Sequence, residues 1–210
     1  MKKKRILVLN SGSGSGFQEL VENSITGILD AEIVGLVTNK DTYQCIDRAI
    51  KLGITFAPPM QKFETKDYQS LVNFFGADYV ALSGWLKPVR GLDPRTTINI
   101  HPGPLPKFGG KGMYGHHVHE AVIQAYRRGE IKHSEVCMHF VTAEYDQGPV
   151  FFRYPILIRP DDDADSLGSR VNKIEHGWQS FITNLVVHKQ ITWDGKNPDS
   201  LRVPTWYKFL

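Results

Sequence analysis

Short apolar runs alternate with helix-spaced segments through the first half of the chain, and no other feature of the sequence restricts the fold as much. Arg5 to Leu9 reads as a strand around Ile6-Leu7-Val8-Leu9, Phe17 to Leu29 carries helical spacing, and Glu32 to Val37 is a second apolar strand ending at Thr38-Asn39-Lys40. The pattern repeats with a helix near Thr42 to Leu52, a short strand at Ile54 to Ala57 and a helix near Lys66 to Phe75, then buried strands at Tyr79 to Leu82 and Thr97 to Ile100. Strands apolar on both faces need cover on both. This predicts an α/β fold, with a predominantly parallel Rossmann-like sheet, helices on both faces and ligands at the carboxyl ends of the strands.

The second half continues with a helix over Gly115 to Arg128 and strands at Glu135 to Val141 and Val150 to Ile158 flanking a turn. The acidic run Asp161-Asp162-Asp163, with Asp165-Ser166, opens a long helix where carboxylates suit the amino-terminal dipole. Leu167, Val171, Ile174, Trp178, Ile182 and Leu185 give that helix one apolar stripe. Trp193 to Leu210 has no clear period and reads as irregular, with room for one short edge strand.

With 210 residues, 41% of them hydrophobic, and no repeat or low-complexity linker, residues 1–210 read as a single domain. The formal charge is only +3, and Lys2-Lys3-Lys4-Arg5 is a short solvated flank, so no nucleic-acid partner is expected. No apolar run reaches membrane-spanning length or forms a signal-peptide core, so no membrane partner and a cytoplasmic location are expected. Cys45 and Cys137 have neither disulfide-framework nor zinc-ribbon spacing.

Chemistry concentrates where Ile98-Asn99-Ile100-His101 runs into Pro102-Gly103-Pro104. Side chains alternate along a strand, so Ile98 and Ile100 enter the core while Asn99 and His101 share the opposite face. Asp146, in the turn Ala143 to Pro149, is the carboxylate that would fix the tautomer of such an imidazole and raise its pKa. An amide N–H and an imidazolium suit a developing oxyanion. No protein nucleophile accompanies them: Ser83-Gly84 lacks the G-x-S-x-G elbow, and Cys137 alternates with His139 inside an apolar strand. The nucleophile then belongs to a substrate.

A second motif, Asn10-Ser11-Gly12-Ser13-Gly14-Ser15-Gly16, lies between the first strand and the first helix, where glycine-rich backbone and a helix terminus suit an anion. It departs from the dinucleotide fingerprint because Phe17 holds the third glycine position. A phosphate loop of the G-x-x-x-x-G-K-[ST] kind fails as well, since Gly112 follows Gly110-Lys111.

These segments, together with Gly84-Trp85-Leu86-Lys87, Leu105-Pro106-Lys107-Phe108, His139-Phe140-Val141 and Asp146-Gln147-Gly148-Pro149, resemble the phosphoribosylglycinamide formyltransferase family in order and spacing. The likeness extends to Arg170-Val171 and Glu175-His176. It implies a formyltransferase-type fold and transfer of a formyl group from 10-formyltetrahydrofolate, as co-substrate, to the amine of glycinamide ribonucleotide in purine synthesis. It assigns catalysis to Asn99, His101 and Asp146, phosphate binding to Ser13, Gly14, Ser15 and Gly16, and the substrate's amine end to Glu175. Folate contacts fall on Lys66, Leu86, Lys87, Pro88, Val89 and Asn99, and on the turn from Val141 through Glu144 to Asp146. The nucleotide part spans about 1–100 and the folate-binding and catalytic part about 84–190. The small-molecule substrates are the expected partners, with monomer and homodimer both open.

The chain departs from the family pattern in places. Gly16 stands where an asparagine is usual, Lys87 where an arginine is frequent, and Pro88 stiffens the folate wall. Phe108 to Gly115 is the longer loop of one family branch, readable as a lid, an anion contact or a connector. His116, His117 and His119 have no evident carboxylate partner, so no metal is expected. Three alternatives stay open: formyl transfer to another amine, hydrolysis of formyltetrahydrofolate, and a noncatalytic nucleotide-binding module.

Overall fold

The computed structural model describes residues 2–40, 43–60 and 62–210. Among the described residues the elements are, in order, β1 (Lys4–Asn10), α1 (Ser15–Thr26), β2 (Ala31–Thr38), α2 (Tyr43–Lys51), α3 (Thr65–Phe75), β3 (Tyr79–Ser83), β4 (Thr97–His101), α4 (His116–Arg127), β5 (His133–Phe140), β6 (Val150–Leu157), α5 (Ala164–Val187) and a 3-10 turn at Pro198–Ser200. The residue chosen as the start of the second helix, Thr42, lies outside the described residues.

The six strands form one sheet in the order β2-β1-β3-β4-β5-β6. β2, β1, β3 and β4 are parallel, and β5 and β6 add antiparallel pairs at the far side. β1 shows why an uninterrupted apolar run is needed at the centre. Ile6 and Val8 belong to one core with Phe17, Leu20, Val122, Val171 and Ile182, whereas Leu7 and Leu9 belong to another with Tyr68, Phe75, Val80 and Leu82. Both faces of the strand are therefore dry, and each such aliphatic side chain contributes about 1.5–3 kcal/mol by burial.

One sequence expectation changes. Ile54 to Ala57 forms no strand: a single bridge from Leu36 to Phe56 joins it to β2, and Pro58-Pro59, with no N–H to donate, stop the pairing there. The carboxy-terminal segment lies along the β6 edge, with Arg153 N–H donating to the Phe209 carbonyl (2.7 Å) and the Tyr207 hydroxyl to Phe151 O (2.7 Å), while Thr192 and Arg202 form one bridge. Phe209 packs edge-on against Trp178 and tilted against Phe152, so the aromatics of this tail close the core.

α5 starts as its acids imply. Asp163 Oδ1 accepts the Ser166 N–H (2.8 Å) and Ser166 Oγ accepts the Asp163 N–H (3.0 Å). Among the described residues, no helix is long and apolar enough to cross a membrane.

β1 feeds α1 and β2 on one side, and the chain then returns to place β3 on the other side of β1. This reversal opens a crevice at the carboxyl ends of β1 and β3, the usual ligand position in such sheets.

Candidate active site

That crevice is a cavity of about 690 Å³. One wall is the loop from Asn10 to Gly16, a second is formed by Ser83 to Leu86 and Asn99 to Pro102, a third by Gly110 to Gly115, and a fourth by Asn172, Glu175, His176 and Gln179 of α5. The long glycine loop thus forms a wall of the site.

The loop before α1 is tied down from beneath. Asn10 Nδ2 donates to Ser83 O, Asn10 Oδ1 accepts the Gly12 N–H (2.8 Å), and Ser11 Oγ accepts the Leu86 N–H (3.0 Å). Gly14 has φ +82°, and a Cβ there would lie 2.8 Å from Cys45 Sγ, so glycine is required. Gly14 is the N-cap of α1 and supplies no side-chain cap, which leaves the helix's first N–H groups directed at the cavity.

The Asn99 and His101 side chains both reach Asp146, as alternation along β4 predicts. Asp146 Oδ2 lies 3.8 Å from His101 Nδ1 and accepts the Gly110 N–H (2.9 Å), while Asp146 Oδ1 accepts from Asn99 Nδ2 (3.4 Å). Asp146 holds a left-handed backbone, φ 54°, which is uncommon for a residue with a side chain and marks a constrained turn. The turn passes so close to β5 that a Cβ on Gly148 would lie 1.8 Å from the Phe140 carbonyl oxygen, which explains the glycine two residues after the carboxylate.

His101 is 3% exposed. Its Nε2 lies 2.8 Å from the Phe108 carbonyl, which only accepts, so Nε2 carries a proton and the second proton is gained at Nδ1. Burial lowers the pKa of the ring, and the pull of Asp146 and the Phe108 carbonyl upward does not restore it. The expectation that the carboxylate leaves His101 raised is corrected accordingly: the direction of Asp146's influence holds, but desolvation outweighs it. Burial would likewise raise Asp146, yet His139, His101 and the Gly110 N–H together hold its carboxyl below the ordinary value.

Sequence reasoning left out His139. Its Nδ1 faces Phe140 O (2.8 Å), and its Nε2 is 3.0 Å from Asn99 Nδ2 and 3.3 Å from Asp146 Oδ1. It sits opposite Asn99 in the β4–β5 register, so pairing those strands on paper would have revealed it. Inside an apolar run it reads as a core histidine instead.

Cys137 is no nucleophile, since burial pushes its thiol up to about 12. The three histidines at the start of α4 go separate ways: His116 Nδ1 pairs with Asp165 (3.0 Å), His117 packs on Tyr114, and His119 is buried. His116 therefore has the carboxylate partner that the sequence did not reveal.

Beside Asn99, His101 and Asp146 lies a second, narrow cleft of about 40 Å³, lined by Lys87, Pro88, Val89, Val141, Glu144 and Tyr145 and sharing Asn99 and Asp146 with the first. Trp85 and Tyr68 support it from behind, with the Tyr68 hydroxyl donating to Pro88 O (2.8 Å). Leu86 faces the larger cavity. Lys66 reaches neither; it is exposed at the start of α3, 3.2 Å from Glu64. Glu175 stands in the larger cavity, its carboxyl pushed up to about 7 by burial.

The family model described as formyl transferase matches residues 4–183. The chloroplastic phosphoribosylglycinamide formyltransferase of Arabidopsis thaliana is 33% identical over 94% of this chain and 73% of that protein. The phosphoribosylglycinamide formyltransferase of Bacillus subtilis (strain 168) is 30% identical over 85% of this chain and 92% of its own length. Among solved structures, glycinamide ribonucleotide transformylase 1 from Symbiobacterium toebii superposes with a TM-score of 0.81 at 25% identity, covering 96% of this chain and 94% of that one.

Proposed function

The chain belongs to the formyl transferase family, and from that premise we propose that it transfers a formyl group from 10-formyltetrahydrofolate to the amine of glycinamide ribonucleotide. One observation carries the reading: two separate cavities, one against a phosphate-type loop and one against a small apolar cleft, meet at Asn99 and Asp146. A reaction joining two substrates needs such a meeting point.

The nucleotide phosphate is placed on the N–H groups of Ser13, Gly14, Ser15 and Gly16, and its amine end toward Glu175. The pterin is placed between Leu86 to Val89 and the turn from Val141 to Asp146, with Asn99 between the two substrates and Lys66 left out. The free amine attacks the formyl carbon; a C–N bond forms, the carbonyl electrons move to oxygen, and collapse breaks the bond to the folate nitrogen. The proton lost by the amine passes to that nitrogen. Burial disfavours the His101 imidazolium and Asp146 opposes that, so His101 takes a proton from solvent at Nδ1 as the oxyanion charge develops beside it and, with the Asn99 amide N–H, stabilises that charge, while Asp146 relays the proton lost by the amine through water. The Asn99 Nδ2 protons face His139 and Asp146, so one of these contacts is exchanged for the oxyanion.

Residues 1–210 then act as one formyltransferase domain, since a single sheet carries the nucleotide part, about 1–100, and the folate and catalytic part, about 84–190. Two free, buried cysteines suit a reducing compartment such as the cytoplasm.

Mixing purified protein with glycinamide ribonucleotide and 10-formyltetrahydrofolate tests the reading. Tetrahydrofolate release that requires the amine supports it. Release without the amine indicates a hydrolase, and binding without turnover a noncatalytic module.

A further inference from the structure

Gly16 is the second residue of α1 and has an ordinary helical backbone, yet it has no room for a side chain. A Cβ there would lie 2.3 Å from Ser83 Oγ and 3.4 Å from Gln179 Oε1. These two polar groups, from the end of β3 and from α5, converge over the helix terminus. Ser83 is 6% exposed and Gln179 2% exposed, both line the large cavity, and neither side chain has a hydrogen-bond partner among the described residues. Neither is sealed in the core among the orphaned polar atoms, so the hydroxyl and the carboxamide open onto the cavity with no protein partner, available to a ligand that binds there.

The proposed function sends a phosphate to the neighbouring N–H groups, and on that reading we propose that Ser83 and Gln179 complete the anion cradle and select the phosphorylated substrate. The Ser83 hydroxyl donates to one phosphate oxygen. With no protein partner to fix it, the Gln179 carboxamide turns its Nε2–H toward another. Glycine at position 16 is the condition for both, since any larger residue would push the hydroxyl out of the cradle. Neutral donors add hydrogen bonds without a further fixed charge, so they sharpen orientation while the helix terminus supplies the field.

Calorimetric titration with glycinamide ribonucleotide, its dephosphorylated riboside and ribose 5-phosphate tests this. Ser83→Ala and Gln179→Met are each expected to weaken both phosphorylated ligands about tenfold and to leave the riboside within about twofold of the unchanged protein. The double variant Gly16→Asn/Ser83→Ala, in which a carboxamide replaces the hydroxyl, is expected to regain most of the loss. Equal weakening of the riboside, or no weakening of any ligand, overturns the proposal. If Gln179→Met fails to fold, the Ser83 variants decide alone. Wild-type protein that binds ribose 5-phosphate but not the ribonucleotide contradicts the proposed function and leaves the cradle standing, so the two failures are distinct.

Discussion

Asp146 Oδ1 lies 3.3 Å from His139 Nε2, so the carboxylate that faces His101 is anchored on its far side by a second imidazole. The pair is buried, and Asn99 spans it by facing both groups. One carboxylate thereby positions an amide and opposes the loss of charge that burial imposes on a ring.

Asp146→Asn keeps the shape and removes that charge. It should lower kcat by about 10²–10³-fold, comparable to loss of an oxyanion-stabilising group, and His101→Ala should do the same with little unfolding. Burial already depresses the His101 pKa and Asp146 opposes it, so in Asp146→Asn the ring should lose its proton at still lower pH. An NMR titration of His101 in the two proteins checks the direction; an unchanged midpoint contradicts it.

Glu175, with its carboxyl near 7, is partly protonated in the free protein at neutral pH. An ammonium or amine docking there favours the carboxylate, so nucleotide binding should release a proton and tighten as pH rises through 7. Calorimetry in buffers of different ionisation enthalpy reads the proton, and Glu175→Gln should abolish both the release and this pH dependence.

His119 is held neutral by burial, with its pKa pushed down to about 4. The unfolded chain binds that proton near 6.5, so the stability this group contributes is present above 6.5 and is lost as pH falls toward 4. Between pH 7 and 5 the loss is on the order of 2 kcal/mol. Urea unfolding at both pH values should show it, and His119→Leu should remove that part of the acid sensitivity.

The folate-side cleft, about 40 Å³, is too small for a bicyclic pterin. Leu86 to Val89 and Val141 to Tyr145 must therefore part when folate binds and then lose mobility. Hydrogen exchange should fall in these two segments on adding a folate analogue, and in the Gly110 to Gly115 loop on adding the nucleotide; exchange that stays the same in all three contradicts the placement.

Much of this was legible in the residues because it depends on local pattern. Ile6 to Leu9 has to be covered on both faces, and Asn99 and His101 have to share one, whatever surrounds them. What was hidden depends on contacts distant in sequence. The depressed His101 comes from its burial at the end of β4, His139 acquires its role only in register with Asn99, and the fit of Gly16 depends on Ser83 and Gln179. Ile54 to Ala57 has strand composition, but Pro58-Pro59 stop its pairing after one bridge. Lys66 was placed by analogy alone, and its exposed position on α3 keeps it from both cavities.

A crystal structure with glycinamide ribonucleotide and a non-transferable analogue of 10-formyltetrahydrofolate tests the central claim most directly. The account predicts the phosphate on the N–H groups of residues 13–16, the pterin between residues 86–89 and 141–146, and the amine about 3–3.5 Å from the formyl position beside Asn99 and His101. Ligands in these cavities whose reacting atoms cannot approach one another, or a folate bound away from Asp146, would contradict it.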